Sequence, residues 1–375
     1  MAIGQVTVSN VNRMQGGFTE VERQFLYIGA GAAGASEDAL LALNGDSDLD
    51  ALLGETTSEL KTQLEAARSN AGQNWQAYAI NTTGTWTDAL DMALEQPNNL
   101  EPEAVVVTTP VVDSSEVNAA YTAAMDSLAR YARFLTIHLC VSGIDLAMEE
   151  TWAQYTARIK PIINGVAGNR VSVTPQLHGN NLGVVTGRLC NRSVSIADSP
   201  MRVRTGPLVG LGEKPVDIDG NPLTMAHLTD LAQSRFSVPQ TYAGYNGTYW
   251  ADHMMLDNDG GDFQVYENLR ILDYCARRVR KLAIAKIADR ALNSTPKSIA
   301  FHQTYFARPL REASRGVVIG GEPFPAMIRA PEEGDVVINW VSRTEVEIYI
   351  QAAPFECPKK IGVYLMLDLT RGLEG

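Results

Sequence analysis

Between residues 23 and 174, short apolar strands alternate with helices, and this alternation limits the possible folds more than any other feature of the sequence. Two parallel strands need a crossover connection of about a dozen residues or more, which is usually a helix. The stretch 134–141 is mostly apolar, as is typical of a strand that is buried on both faces of a sheet. The sequence therefore predicts an α/β fold with a mostly parallel sheet flanked by helices.

Apolar periodicity, capping residues and turn residues place the elements of this half of the chain. Strands are predicted at residues 23–28, 75–80, 104–108, 134–141 and 170–174. Helices are predicted at residues 56–69, 87–95, 115–133 and 146–163. The stretch after the first strand is also predicted to be helical, as far as residue 43.

The second half has a different character. Residues 199–222 are rich in Gly and Pro and indicate a domain boundary or a surface excursion. Asn246-Gly247 favours a type I′ turn in a hairpin. The elements predicted here are a helix at 224–234, the hairpin at 244–250, the longest helix at 262–292, a helix from Pro296, and strands at 335–341, 345–351 and 360–369.

Both ends of the chain are predicted to form strands outside the main domains. Residues 5–9 alternate in polarity, with Val6 and Val8 on one face. At the other end the alternating apolar residues are Ile361, Val363, Leu365, Leu367 and Leu369. The expected division is an N-terminal arm (1–22), an α/β domain (23–205), a C-terminal α+β domain (206–354) and a C-terminal strand or arm (355–375).

The sharpest enzyme-like motif is the glycine-rich turn GAGAAG, with Gly29, Gly31 and Gly34, which follows a strand and has the spacing of a dinucleotide-binding loop. That function also needs a helix that begins at the glycines, then a second strand that ends in an acidic residue. The nearest acidic cluster, at residues 46–50, falls in an expected turn instead. A glycine-rich strand exit is therefore the simpler interpretation.

No other pattern makes a positive case for a catalytic, cofactor or metal site. The five histidines lie far apart, and none has zinc-ligand spacing. His138, inside an apolar strand, is expected to be a core residue with satisfied hydrogen bonds. The four scattered cysteines are interpreted as reduced core residues in a protein made in the cytoplasm. No apolar run is long enough to predict a membrane span.

Charge is distributed unevenly along a chain whose net charge is −12. Residues 1–103 contain 15 acidic and 4 basic side chains, whereas residues 265–315 contain 4 acidic and 11 basic ones. The acidic total argues against general nucleic-acid binding, while a basic face suits an acidic partner or the stacking of copies. The candidate contact residues on the longest helix are Arg270, Arg277, Arg278, Arg280 and Lys281. A solvated helix face explains them equally well.

Several segments together resemble the tail-sheath proteins of contractile bacteriophages. They are YAGYNGTYWA at 242–251, DF at 262–263, ENLRILD at 267–273, NSTPKSI at 293–299, KKIGVYL at 359–365 and FLYIGAG at 25–31. The resemblance covers both ends and the C-terminal third, and it is closest to compact sheath proteins of Mu-like or P2-like phages. The middle of the chain, residues 75–222, matches only in its α/β character.

The resemblance implies a structural protein that forms hexameric rings, stacked helically around a tail tube, and that contracts to drive the tube through the host envelope. It implies that terminal arms add strands to neighbouring subunits, here through Val6, Val8, Ile361, Val363, Leu365 and Leu367. The five basic residues of the longest helix become candidate contacts to the tube or the next ring. The alternative is that both terminal strands pair within their own chain.

The implied partners are further copies of the chain, the tail tube protein, and the baseplate and tail terminator proteins, without direct nucleic-acid contact or membrane insertion. The implied location is the virion tail, assembled in the host cytoplasm. No catalytic residue, cofactor or metal is expected. Two alternatives stay open: a nucleotide-dependent oxidoreductase that uses the turn at residues 29–34, and another self-assembling capsid or shell protein.

Overall fold

The computed structural model describes residues 21–32, 35 and 37–367, and a six-stranded sheet organises the first half of the chain. The strands of this sheet are β1 (Phe25–Gly29), β2 (Leu40–Asn44), β3 (Gln76–Asn81), β4 (Ala104–Val107), β5 (Thr136–Val141) and β6 (Val171–Pro175). The helices of the same half are α1 (Leu49–Leu53), α2 (Glu59–Ala71), α3 (Trp86–Leu94), α4 (Ser114–Tyr131), α5 (Trp152–Ile163) and α6 (Asn181–Leu189).

The strand order is β2-β3-β1-β4-β5-β6, and every neighbouring pair is parallel except β2 with β3. Helices cover both faces, as alternate residues of β1 show. Leu26 and Ile28 share one apolar core with α3, α4 and α5. Phe25 and Tyr27 share the other core with α1, α2 and α6. The predicted mostly parallel sheet between two helical layers is confirmed.

Strand β2 corrects the prediction that residues up to 43 are helical. It pairs antiparallel with β3, so that Leu43 lies opposite Ala77, and the Leu43 side chain is buried. A free sheet edge offers backbone hydrogen bonds to a passing segment, and this pairing outweighs the local helix propensity of a stretch rich in Ala and Leu.

Helix α6 was not predicted, because Gly183 and Gly187 look like helix breakers. Both glycines face α2 at very close range. A Cβ atom on Gly183 would lie 2.1 Å from the Gln63 carbonyl oxygen, and one on Gly187 would lie 2.2 Å from that of Ala67. The glycines therefore allow two helices to pack closer than side chains permit.

The remaining elements are α7 (Met225–Gln233), β7 (Pro239–Tyr242), β8 (Tyr245–Trp250), α8 (Tyr266–Ile284), α9 (Pro296–Phe306), α10 (Arg308–Ala313), β9 (Val317–Ile319), β10 (Glu322–Phe324), β11 (Val336–Trp340) and β12 (Val346–Ile350). They confirm the predicted helix at 224–234, the helix that starts at Pro296, and the strand pair at 335–351. The hairpin β9–β10 and the helix α10 were not predicted.

Three boundaries differ from the predictions. The helix predicted at 146–163 is a 3₁₀ turn followed by α5, because Glu149 adopts a left-handed backbone and Thr151 forms a capping box. The β7–β8 turn lies at Ala243-Gly244, while Asn246-Gly247 lies inside β8. Helix α8 ends at Ile284, well before residue 292.

The C-terminal part has its own apolar core, formed by the second half of α8 with α9, α10 and the β11–β12 hairpin. Its largest buried side chains include Phe306 and Leu310. Helix α7, in contrast, contributes Leu228 and Leu231 to the core of the six-stranded sheet. The division of the chain at residue 205 stays a prediction.

Candidate assembly surfaces

Helix α8 crosses the amino-terminal ends of the sheet strands, and charged residues make the contact. Three charged residues on one side of α8, Arg270, Asp273 and Arg277, are buried. Their partners stand just before strands of the sheet: Glu103 before β4, Arg170 before β6 and Glu22 before β1. We refer to these three ion pairs as the ion-pair seam.

The geometry of the seam is that of strong, charge-assisted hydrogen bonds. Arg270 donates from Nε and Nη2 to the two carboxylate oxygens of Glu103, at 2.5 and 2.8 Å. Arg170 donates to both oxygens of Asp273, at 2.8 and 2.9 Å. Arg277 Nη2 donates to Glu22 Oε1 at 3.0 Å. Two of the three contacts are therefore bidentate.

Two carboxylates of the seam, those of Glu22 and Glu103, keep their charge in spite of burial. Burial by itself raises a carboxyl pKa, but the guanidinium groups of Arg278 and Arg277 outweigh it and lower the pKa of Glu22 to about 2. Burial also opposes ionisation of Glu103, and Arg270 overcomes it, so that the pKa of Glu103 is lowered. Glu22 and Glu103 are thus ionised at neutral pH.

This arrangement narrows the predicted basic contact surface. Arg270 and Arg277 are used inside the subunit, which leaves neither side chain free on the surface of the single chain. Arg278 is half-buried, donates to Glu22 at 2.8 Å and stacks on the Tyr274 ring. Only Arg280 and Lys281 of the five candidates are exposed. The missed signal was Asp273, whose spacing with Arg270 and Arg277 puts all three on one helix face.

An exposed surface remains where α8 ends and α9 begins, and we call it the helix-end surface. It combines the cations Arg280 and Lys281 with the exposed apolar side chains Ile284 and Ile287, at and just beyond the end of α8, and Phe301 of α9 is also exposed. Ile287 falls within the helix predicted at 262–292, but α8 ends at Ile284 and the Ile287 side chain is exposed. Exposed apolar groups beside charges are typical of a surface that contacts another protein.

The C-terminal arm, residues 360–367 of the described chain, is the most exposed apolar segment. Four alternating side chains have large exposed fractions: Ile361 75%, Val363 76%, Leu365 94% and Leu367 84%. The strand predicted at 360–369 is absent from the described part of this segment, since a strand needs a partner to form ladder hydrogen bonds. Val6 and Val8 lie outside the described residues.

The hairpin β11–β12 offers unpaired edges that could accept such a segment. Within the described residues these two strands pair only with each other, so each has one open edge. Their inner face, which includes Ile338 and Ile348, packs on the C-terminal core. An open edge of this kind is a template for a strand from another chain.

The glycine-rich turn lacks the context of a dinucleotide site. The next element in the described residues is β2, an antiparallel edge strand, whereas a dinucleotide fold needs a helix that begins at the glycines. Packing accounts for two of the glycines: a Cβ atom on Gly29 would lie 1.9 Å from Thr108 Oγ1, and one on Gly31 would lie 2.8 Å from the Asn81 side chain.

The expectation for His138 is confirmed, because its ring is fully buried and hydrogen-bonded. His138 Nδ1 lies 2.7 Å from Ser172 Oγ, and His253 Nε2 lies 3.0 Å from the same oxygen. Burial lowers the pKa of both histidines, that of His253 to about 3, so both are neutral. Three cysteines are buried as expected, but Cys357 is exposed at the start of the C-terminal segment.

Two kinds of feature are missing from residues 21–32, 35 and 37–367. No cluster of three or more His, Cys, Asp or Glu side chains with the arrangement of a metal site occurs there. No helix in the same ranges is long and apolar enough to span a membrane.

Comparison with known proteins gives a consistent result. The chain matches the DUF2586 N-terminal domain at residues 3–254 and the DUF2586 C-terminal domain at residues 262–370. It is 42% identical over 369 residues to a protein of Haemophilus phage HP1 (strain HP1c1) that is named "Putative tail sheath protein", a match that covers 97% of this chain and 98% of the relative.

Two solved structures share the fold over almost the whole chain. One is the sheath complex of PVC, an extracellular contractile injection system, in the contracted state, with a TM-score of 0.59, 12% identity and 98% of each chain covered. The other is the helical sheath of the anti-feeding prophage in the contracted state, with a TM-score of 0.59, 13% identity, and 97% of this chain and 99% of that chain covered. The chain is therefore a tail sheath protein and a member of the DUF2586 family.

Proposed function

We propose that this subunit polymerises by strand exchange: the C-terminal arm of one copy adds a strand to the β11–β12 hairpin of a neighbouring copy. The observation that carries the proposal is the row of exposed side chains Ile361, Val363, Leu365 and Leu367, which alternate as in a strand but lack a partner. A segment of this kind would be an aggregation hazard if nothing covered it.

The length of the C-terminal arm suits the edge of the β11–β12 hairpin. Each strand of the hairpin has five residues, which corresponds to about 17 Å, and residues 361–367 span about 23 Å when extended. The four alternating side chains would continue the inner face of the hairpin over the C-terminal core. Burying each of them contributes about 1.5–3 kcal/mol.

The N-terminal arm fits the same scheme. A hairpin has two open edges, and one added strand occupies only one of them. We assign the other edge to the strand predicted at residues 5–9, with Val6 and Val8 directed toward the C-terminal core. Each hairpin would then become the centre of a four-stranded sheet built from more than one subunit.

The larger assembly follows from the same contacts. We infer hexameric rings that stack helically around the tail tube, joined by the exchanged strands, with further contacts to baseplate and tail terminator proteins. Arg280 and Lys281 of the helix-end surface are the proposed contacts to the tube or the next ring. This role is mechanical and needs no catalytic residue or cofactor. Assembly takes place in the host cytoplasm before the tail joins the virion.

Contraction, on this scheme, repacks the subunit bodies while the exchanged strands stay paired. Backbone hydrogen bonds of an added strand survive a rotation of the body if the arm between them bends. Interfaces between rigid bodies can have two stable arrangements, and these can store such a change. The extended and contracted sheaths would then share one network of strands.

The experiment compares the two faces of the C-terminal arm in polymers imaged by electron microscopy. Replacing Val363 and Leu365 with serine should abolish tubes or stacked rings, because these side chains cover the core of the neighbour. The matched control replaces Tyr364 and Met366, which lie on the opposite face of the arm, with serine, and this variant should assemble. Equal assembly by both variants, or tubes formed after deletion of residues 360–375, would overturn the proposal.

A further inference from the structure

The point at which the C-terminal arm leaves the body is fixed by one lysine. Lys359 Nζ lies 2.6 Å from Asp252 Oδ1 and 2.7 Å from Glu267 Oε1. Glu267 is buried in the first turn of α8, where burial raises the pKa of its carboxyl and the Lys359 ammonium opposes that rise. Residues 355–367 are all exposed, and Lys359 is the last of the described residues that forms an ion pair or hydrogen bond with the body. Lys359 is thus where the arm separates from the body.

The N-terminal arm joins the body at the same helix. Glu22 is buried, and its Oε1 atom accepts hydrogen bonds from Arg277 Nη2 at 3.0 Å and from Arg278 Nη1 at 2.8 Å. Residues 1–21 therefore connect to the body through a segment that is bound to the middle of α8.

The two attachment points have opposite signs and a defined spacing. Helix α8 offers a carboxylate to the lysine of one arm and two guanidinium groups to the glutamate of the other. Glu267 and Arg278 are eleven residues apart, which corresponds to about 16 Å along the helix axis. Because the signs differ, neither anchor residue can occupy the other's place without facing a like charge.

We propose that α8 is the rigid spacer that sets the distance and direction between the two arms, with Lys359 and Glu22 as its positioning residues. The inference rests on the proposed strand exchange, and it adds the element through which each subunit connects its two exchanged strands. Tension along the polymer passes from one arm to the other through α8. The seam holds this helix to the body through Glu103 and Arg170.

A matched pair of neighbouring lysines tests the inference. Lys359→Met removes the anchor, whereas Lys360→Met changes an exposed lysine next to it. We expect Lys359→Met to raise the subunit concentration needed for polymer formation by about tenfold or more, because the arm is no longer preorganised. The helical rise and twist of any polymer should also become variable. Lys360→Met should behave as the unsubstituted chain, and Lys359→Arg should restore assembly.

Two further variants separate an anchor defect from other causes. The double variant Lys359→Met with Glu267→Gln removes both members of the buried pair and leaves only Asp252, which is partly exposed and keeps its hydrogen bond from Ser199. It should therefore keep the melting temperature of the subunit and still assemble poorly. If Lys359→Met assembles like Lys360→Met, or if the double variant assembles normally, the anchor role is wrong. Deletion of residues 360–375 distinguishes the two proposals. Normal assembly after that deletion refutes the strand exchange itself. If the deletion variant fails to assemble but Lys359→Met assembles normally, only the anchor role of Lys359 is refuted.

Discussion

The ion-pair seam and the C-terminal arm reverse the usual distribution of side chains in opposite ways. The seam buries charges such as Arg270 and Glu103, while the arm exposes aliphatic side chains such as Leu365. In the seam every buried charge has a partner inside the chain, and this pairing offsets the free-energy cost of removing the charges from water. The arm has no such partner among the described residues. The difference indicates that the buried charges of the seam find their partners within a single chain, whereas the exposed apolar side chains of the arm do not.

The largest loss of folding stability is expected when one partner of an ion pair in the seam is removed. Arg270→Met leaves Glu103 buried without its cation and should reduce the free energy of unfolding by about 3–5 kcal/mol. The measurement is urea denaturation of the purified subunit. The control is Arg315→Met, which removes an exposed arginine. A loss below about 1 kcal/mol would show that the seam is weaker than its geometry implies.

The second prediction concerns the loss of folding stability at low pH. The pKa of Glu22 is about 2 in the folded chain and about 4.5 in the unfolded chain, so its contribution is fully present above pH 4.5 and is lost as the pH falls toward 2. Integrated over that window, the contribution is about 3 kcal/mol. Urea denaturation of the Glu22→Gln variant should therefore show a shallower loss of stability below pH 4.5 than the unsubstituted chain shows.

The buried histidines also make stability depend on pH, over a range that begins at pH 6.5 and for His253 extends to about pH 3, so it overlaps the Glu22 window. Their pKa values are lowered from 6.5, so they favour the folded state above pH 6.5 and lose this contribution as the pH falls. Both chains carry the same two histidines, and their effect cancels in the difference. Parallel curves for Glu22→Gln and the unsubstituted chain would contradict the ionised seam.

The smallest change in folding stability is expected for a substitution in the C-terminal arm. Leu365→Ser changes a side chain that is 94% exposed, so the free energy of unfolding of the single subunit should stay within about 0.5 kcal/mol of the original value. Thermal and urea denaturation of unassembled protein are sufficient to measure it. A loss comparable with that of a core leucine would mean that the arm already packs against its own chain.

The same contrast explains what could be predicted from sequence. The strand and helix alternation that predicts the sheet is a local signal, and so is the polarity alternation of the arm at Ile361 and Val363. The seam is not local: Arg270 finds its partner Glu103 at a separation of 167 residues. On the helix alone, Arg270 and Arg277 read as surface cations, because their partners Glu103 and Glu22 lie far away in the sequence.

Close packing between distant elements was missed for a similar reason. Gly183 and Gly187 lower helix propensity, and only their contact with α2 shows why glycine is needed there. For the arm, the sequence shows a row of alternating aliphatic residues, but it does not show which strand that row joins. The proposed acceptor is an open edge of the β11–β12 hairpin, and such an edge can be recognised only in the folded chain.

The most direct test of strand exchange is a cryo-EM map of the polymer that traces residues 361–367. The expected result is that this segment of one subunit runs as an added strand along β11 or β12 of a different subunit, with Val363 and Leu365 facing the C-terminal core of that neighbour. A map in which the segment pairs with the hairpin of its own chain, or stays unpaired in an intact tube, would contradict the proposal.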